Sequence, residues 1–436
     1  MRPSWSLLAL PAFACSSESN GTLRIVTGAE TDTFSRAPAP VMLRVDSVDS
    51  SGKTSSIATV TLPTSNIDLG KLGQNTVASL QVTGLGANGE RLVFGESLPV
   101  TFGALDGLSV PLFVQRTGEL ARMPGPLSDQ REDPTLAILG GRYLFVGAGR
   151  DPSVALTTQL YDFASDAPVI SPPVIARAPR SIAVVGTAAW LIDEGGATRL
   201  DFESGTQADV TAPSGATFGD VAGGATVFAA DGSQYVVGAT RTAGMPTAAV
   251  LAIDSSGSHP SWLALTAPRL GAAAAWVEGR GLVVVGGSAS APGVEVVGVG
   301  AASGTGLAYP PDATIGAGAA VLDSQHVVVA GGLRADGHDA GARSIDLACA
   351  MQCAPSPWLA LPAALVSTQA FSKTGGAVVL VVGDDVSGAT HVYEVTKTSA
   401  TELPTKAVHT RARATIAPVG SVVLFGGAPE IESYMP

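Results

Sequence analysis

Charge is scarce in this chain: 14% of its 436 residues are Asp, Glu, Lys or Arg, against about a quarter in an ordinary globular domain. The balance is acidic, with a formal net charge of −12, so phosphate backbones would be repelled and no nucleic-acid partner is expected. Beyond the first residues no stretch approaches the roughly 18 apolar residues that a spanning helix requires. There is no Gly-x-Ser-x-Gly nucleophile elbow, and no Gly-x-Gly-x-x-Gly run that opens a helix. Cysteine occurs three times and histidine five times, too thinly for a sequence-contiguous four-ligand zinc site. Glycine and proline are plentiful, at 52 and 29 residues; with apolar runs rich in Val and Ala, they favour short strands joined by turns over helices.

The stretch Gly281-Leu-Val-Val-Val-Gly-Gly287 reads as a short buried strand closed by glycines, where positive φ or close backbone approach leaves no room for a side chain. Related endings occur at Gly147, Asp193, Gly238, Gly331, Gly383 and Gly426, giving steps of 46, 45, 48, 45, 52 and 43 residues. A period in the forties with several strands per unit suits a four-stranded blade. Double glycines close three of the strands, at Gly286-Gly287, Gly331-Gly332 and Gly426-Gly427. Tyr161 and Tyr393 fall where a third strand is expected, and Trp262 and Trp358 where a fourth is expected.

In these marks the chain resembles the kelch repeat of the galactose oxidase and kelch-like proteins. The resemblance implies an all-β fold: a kelch-like β-propeller of about seven blades, with six as the alternative, over residues 117–436. Closure would come from a shared last blade, made of the C-terminal Ile431–Pro436 and an orphan strand near Gln115–Pro124. Residues 21–116 alternate in strand fashion, with about seven short strands, and are expected to form an immunoglobulin-like or transthyretin-like β-sandwich acting as a spacer.

Residues 1–14 read as a secretory signal peptide, with Arg2, an apolar core from Trp5 to Phe13 and Ala12-Phe-Ala14 before Cys15. This resembles a bacterial lipoprotein signal, which implies a lipidated Cys15, a tether over 15–20 and an exported protein of the cell envelope, in the outer membrane of a Gram-negative bacterium. The alternative reading is ordinary secretion after the Ala-x-Ala site. Cys349 and Cys353, close together in a turn, are expected to form a disulfide that pins a hairpin loop, with a redox pair or metal site as the other reading.

In kelch-like rings the loops between second and third strands share a face with the links between blades. Carried onto this chain, that face brings together Arg150, Asp151, Arg241, Arg334, Asp336, His338, Asp339, Asp384 and Asp385 from loops, and Arg180 and Arg269 from links. Arg131, Arg411 and Arg413 also stand near the start of first strands, where they bind a partner or simply tie neighbouring blades together. Asp336-Gly-His-Asp339 matches neither a calcium loop nor a zinc spacing, so no metal and no cofactor is expected. The histidines and cysteines do not supply the copper ligands of galactose oxidase, and no catalytic residue is assigned.

The leading expectation is a monomeric, non-enzymatic binding or scaffolding module presenting this face to a protein or glycan, with contact to the membrane through a lipid anchor only. The alternatives are a secreted carbohydrate-active hydrolase or lyase with its site in the ring's cleft, and a structural envelope component. Mass spectrometry of the mature protein is expected to find a lipid-modified N-terminal Cys15; an unmodified cysteine there removes the anchor.

Overall fold

The computed structural model describes residues 18–238, 244–290, 292–373 and 376–436, with side chains from residue 21 onward. It is all-β: among the described residues there is no α-helix, only three short 3-10 turns at Phe102–Leu105, Pro152–Val154 and Phe218–Asp220. Among the described residues no helix is long and apolar enough to cross a membrane. The chain divides into two compact units, Met1–Val26 with Phe34–Val114, and Thr27–Thr33 with Gln115–Pro436.

In the first unit, Glu18–Val26 lies between Asn66–Gly73 and Ser109–Phe113. A second sheet runs Thr54–Thr61, Met42–Asp49, Val77–Leu85, Arg91–Glu96, with Val100–Thr101 also against Val77–Leu85. One core joins the two, through Leu23, Ile67 and Leu112 from the first sheet and Leu43, Leu80 and Val82 from the second. Asn66–Gly73 was not expected from the sequence. Its apolar residues Ile67, Leu69 and Leu72 face inward while the intervening positions are exposed, and Gly70 at φ 63° sits within it.

The second unit contains seven four-stranded sheets. Numbered along the chain, their second strands are Tyr143–Gly147, Ala188–Asp193, Gln234–Val237, Gly281–Val285, His326–Ala330, Val379–Asp384 and Val422–Phe425. These are the apolar, mostly glycine-closed runs, and each is flanked by a first and a third strand in antiparallel register. Leu282, Val283 and Val284 are fully buried, each such side chain contributing about 1.5–3 kcal/mol. The seventh sheet takes its outer strand from far upstream: Glu432–Tyr434 pairs with Leu120–Arg122 on one side and Val422–Phe425 on the other.

Successive sheets share hydrophobic clusters, for instance Val283 and Val285 of the fourth with Val327 and Val329 of the fifth. Two glutamines reinforce this with their side-chain amides, each imitating a backbone peptide. Gln234 accepts from Val184 N at 2.8 Å and donates to Val184 O. Gln369 accepts from Ala414 N at 2.6 Å and donates to Ala414 O at 2.9 Å. The first strand of the seventh sheet also packs on that of the first sheet, Thr135–Leu139. There Arg413 pairs with Asp133, Asp133 N donates to Arg411 O at 2.9 Å, and Gly427 N donates to Arg131 O at 2.7 Å.

The kelch resemblance is corrected by this structure. The described residues form nine separate sheets of three to six strands, none closed on itself, and the residues that suggested kinship are not equivalent. Trp262 lies within a fourth strand and donates to Pro213 O at 3.0 Å, whereas Trp358 follows the two-residue strand Ser356–Pro357 and its buried Nε1 has no partner. Gly286 and Gly287 both sit at φ 78°, but Gly426 is at 143°. The glycines answer local crowding instead: a Cβ on Gly281 would stand 2.2 Å from Val297 O, and one on Gly427 2.2 Å from Thr410 N. Any strand ending pressed against backbone in this way selects glycine, without common descent. The immunoglobulin-like or transthyretin-like expectation for the first unit reduces to two packed sheets, one of them mixed: Glu18–Val26 pairs antiparallel with Asn66–Gly73 and in parallel with Ser109–Phe113.

Deleting the last dozen residues removes the strand that Leu120–Arg122 depends on. The expected outcome is one cooperative transition of the whole second unit at a lower temperature; loss of only a fraction of the circular dichroism signal would show that the sheets are not coupled.

Candidate ligand-binding cleft

The links between sheets are built on a repeated polar anchor. Four residues before the first strands of the first, second, fourth and seventh sheets stand Arg131, Arg177, Arg269 and His409. Each side chain turns inward, to the carbonyl or carboxylate near the end of the second strand, and reaches the third strand directly or through a neighbour. Arg269 is fully buried. Its Nη2 donates to Glu295 Oε1 and Pro292 O, both at 2.6 Å, and its Nη1 to Gly286 O at 2.6 Å. His409 repeats the pattern with Nδ1 2.8 Å from Gly426 O and Nε2 3.2 Å from Glu432 Oε1. Arg131 donates to Ala148 O at 3.0 Å and pairs with Asp129, to which Gln159 of the third strand also donates. In the second sheet Arg177 bonds Thr198 Oγ1 at 2.9 Å and Asp193 Oδ1 at 3.0 Å. Asp193, the departure from glycine in the repeat, thus supplies with its carboxylate the acceptor that a backbone carbonyl supplies elsewhere.

The residues expected on one binding face differ in exposure and in the partners they hold. Arg269 is wholly buried and Asp384 is 2% exposed. Burial pushes the Asp384 carboxyl up, opposed by Arg413 at 2.8 Å and by the Thr390 hydroxyl at 2.8 Å. Arg180 makes an open ion pair with Glu194 at 3.2 Å. Arg150 and Asp151 are exposed, and the Asp151 carboxylate caps Ser153 N, which lowers it. Asp385 closes its own turn; its bonds from Ser387 and Ala389 hold its carboxyl at about 2. Arg334, Asp336 and His338 form an exposed hairpin in which Arg334 N donates to His338 O at 2.9 Å and Asp336 accepts from His338 N at 3.0 Å. Asp339 at its base is raised by burial, against the N–H groups around it and the charge of Arg334. Arg241 and Cys15 lie outside the described residues. Among the described residues no group of three or more His, Cys, Asp or Glu is placed to hold a metal ion.

Cys349 and Cys353 are joined by a disulfide. Cys353 is buried, and its N–H donates to Ala308 O at 3.1 Å, so the bridge fastens the fifth sheet's third connection to the chain leaving the fourth sheet. Just beyond it a cleft of about 330 Å³ opens between the fourth and fifth sheets. Its walls include Val294, Ile345 and four prolines, Pro310, Pro311, Pro355 and Pro357; its polar groups include Asp312, Thr314, Arg334 and Arg343. Tyr309 also lines it, but its hydroxyl is committed, donating to Asp346 O at 3.0 Å and accepting from Asp346 N at 2.9 Å.

Arg343 is the second residue of the strand Ala342–Asp346. Its side chain is 10% exposed and Nη2 donates to Asp312 Oδ2 at 2.7 Å, while the buried Nη1 has no partner. Asp312 Oδ1 accepts from Thr314 N at 2.9 Å. Burial pushes the Asp312 carboxyl up, but Arg343 and the Thr314 bond outweigh it and keep it below its usual value. Of the residues singled out in the sequence only Arg334 lines this cleft. Arg343 and Asp312 were missed; the available signal was an Arg near the start of a strand in a charge-poor chain.

No family model and no curated protein matches the chain. Among solved structures it is similar to the computationally designed Ika8 protein at 10% identity, over 72% of this chain and all of that one, with a TM-score of 0.45; that level carries no argument about fold or function. The kelch lipoprotein assignment therefore finds no support from a relative either.

The anchor and the open ion pair should differ sharply in mutational cost. Arg269→Met leaves Glu295 buried without its cation and is expected to cost about 3–5 kcal/mol in chemical denaturation. Arg180→Gln is expected to cost less than about 1 kcal/mol. Equal costs would show that burial of the first pair does not govern its strength.

Proposed function

We propose that this chain is a non-enzymatic binding module that receives its partner, a protein or glycan, in the cleft between the fourth and fifth sheets. The observation that carries the reading is Arg343. A guanidinium that is nine-tenths buried, with one N–H unpartnered and lining a cleft, costs about 1–3 kcal/mol of uncompensated desolvation. Such a cost is reasonable at a site whose ligand supplies the missing acceptor. The cleft volume also falls in the range of small-ligand sites, about 300–1,000 Å³.

On the same reading, the seven four-stranded sheets stand in cyclic succession, supported by the packing of each on the next and by the Arg413–Asp133 pair between seventh and first. The first unit is a two-sheet spacer. The protein is exported and held at the cell envelope through lipid on Cys15, a proposal that rests on the N-terminal residues alone.

Filling the cleft tests the function. Wild-type protein, the cleft-filling Pro357→Trp and the remote Arg150→Ala would be compared in capture from envelope extracts and on glycan arrays. Capture lost in Pro357→Trp and retained in Arg150→Ala is expected. Equal capture by all three refutes the cleft as the binding site, and turnover of an arrayed glycan refutes the non-enzymatic reading.

A further inference from the structure

We infer that the ligand group received by this cleft is a carboxylate carried on a compact apolar body; the inference rests on the binding reading above. The charge distribution sets the sign. Asp312 is committed to Arg343 Nη2 and to Thr314 N, so the pair is neutral and Arg334 at the cleft gives the lining one net positive charge. That excess belongs to a chain of net charge −12. The unpartnered Nη1 of Arg343 is buried in the wall of this cleft, and an anion that reaches it there makes a charge-assisted hydrogen bond stronger than in water.

The walls set the rest of the chemistry. Pro310, Pro311, Pro355 and Pro357 offer no backbone N–H to a ligand, and the Tyr309 hydroxyl is already bonded on both sides. A sugar rich in hydroxyls would bury groups that this lining leaves unpaired, a penalty it would have to recover elsewhere. A phosphate dianion would ask for more donors than Arg343 Nη1 and Arg334 supply. One anionic group on an aliphatic or aromatic body satisfies both walls and charge. Two sources share this chemistry, a free carboxylic acid and the terminal residue of a polypeptide.

Isothermal titration calorimetry on the full chain would use hexanoate, hexanamide, and a short peptide ending in leucine as its free acid and as its amide. Hexanoate is expected to bind and hexanamide to bind at least about tenfold more weakly, the equivalent of one charge-assisted bond. Arg343→Gln and, because that change also disturbs Asp312, the exposed Arg334→Gln are each expected to weaken hexanoate severalfold or more, with Arg334→Gln keeping the wild-type melting temperature. A free-acid peptide that binds tighter than hexanoate assigns the site to polypeptide ends; equal affinity assigns it to small acids. Equal binding of acid and amide, or no binding of any probe, overturns the inference. Should capture in the cleft-filling experiment still depend on Pro357, the binding reading stands and only the carboxylate is lost.

Discussion

The second unit depends on a buried polar anchor at its links. A link between two sheets carries backbone groups into the interior, and these must be satisfied or the link must stay in water. Glu295 meets this need by accepting from Thr266 N at 2.7 Å while it holds Arg269. Glu432 does the same for Lys406 N and Ala407 N, at 2.7 and 2.6 Å, while it faces His409. The cation or imidazole in turn covers a carbonyl at the end of the second strand. A single buried polar pair thus ties link, second strand and third strand, and fixes where the next sheet begins. A buried pair of this kind adds little net stability over an apolar replacement, yet removing one partner is costly. Its contribution is therefore to register: the first strand starts four residues later in each case.

Packing then follows from small side chains. Two neighbouring first strands, Ala273–Val277 and Gly318–Val321, are built largely of small residues, and packing there is close enough that a Cβ on Gly318 would lie 2.7 Å from Ala370 N. Such approach leaves little room for polar side chains, which explains why the chain is so poor in charge. Where polarity is retained it imitates backbone, as with the Gln234 and Gln369 amides. Scarcity of charge and abundance of glycine are two consequences of one steric condition.

Much of this was legible in the sequence, and the limits have physical causes. The seven second strands could be read because each carries an apolar run, and most of these runs end in a glycine, several of them where crowding leaves no room for a Cβ. Asn66–Gly73 could not, because the left-handed Gly70 breaks its alternation, leaving two exposed residues between the inward Leu69 and Leu72. The double glycines invited a family assignment that the structure corrects, since glycine reports local geometry and not ancestry. For the site, the arginines near the start of first strands were noticed, but their direction was not. Sequence spacing places a guanidinium at a link without saying whether it faces solvent, as Arg180 largely does, or the interior, as Arg269 does. Arg343 was invisible as a site because its partner Asp312 is 31 residues away.

The cleft sits where the anchor pattern is inverted. At four links the basic side chain comes from the link, and the guanidiniums of Arg131 and Arg269 have an Nη1 that finds a carbonyl at the end of the second strand. At the fifth sheet the position four residues before the first strand is Thr314, the link supplies the acid as Asp312, and the third strand supplies the cation as Arg343. The Coulomb pair survives this exchange, but the geometry does not. A guanidinium rooted on the strand holds the link carboxylate through Nη2, and its Nη1 finds no partner. One strong donor is left over in the wall of a recess lined by Pro310 and Pro311 of the link and by Pro355 and Pro357 at the fourth strand of the fifth sheet. Inverting a structural pair is thus enough to turn a sealed joint into a recess with a single unmet hydrogen bond, with the sheets on either side still held by the same hydrophobic cluster.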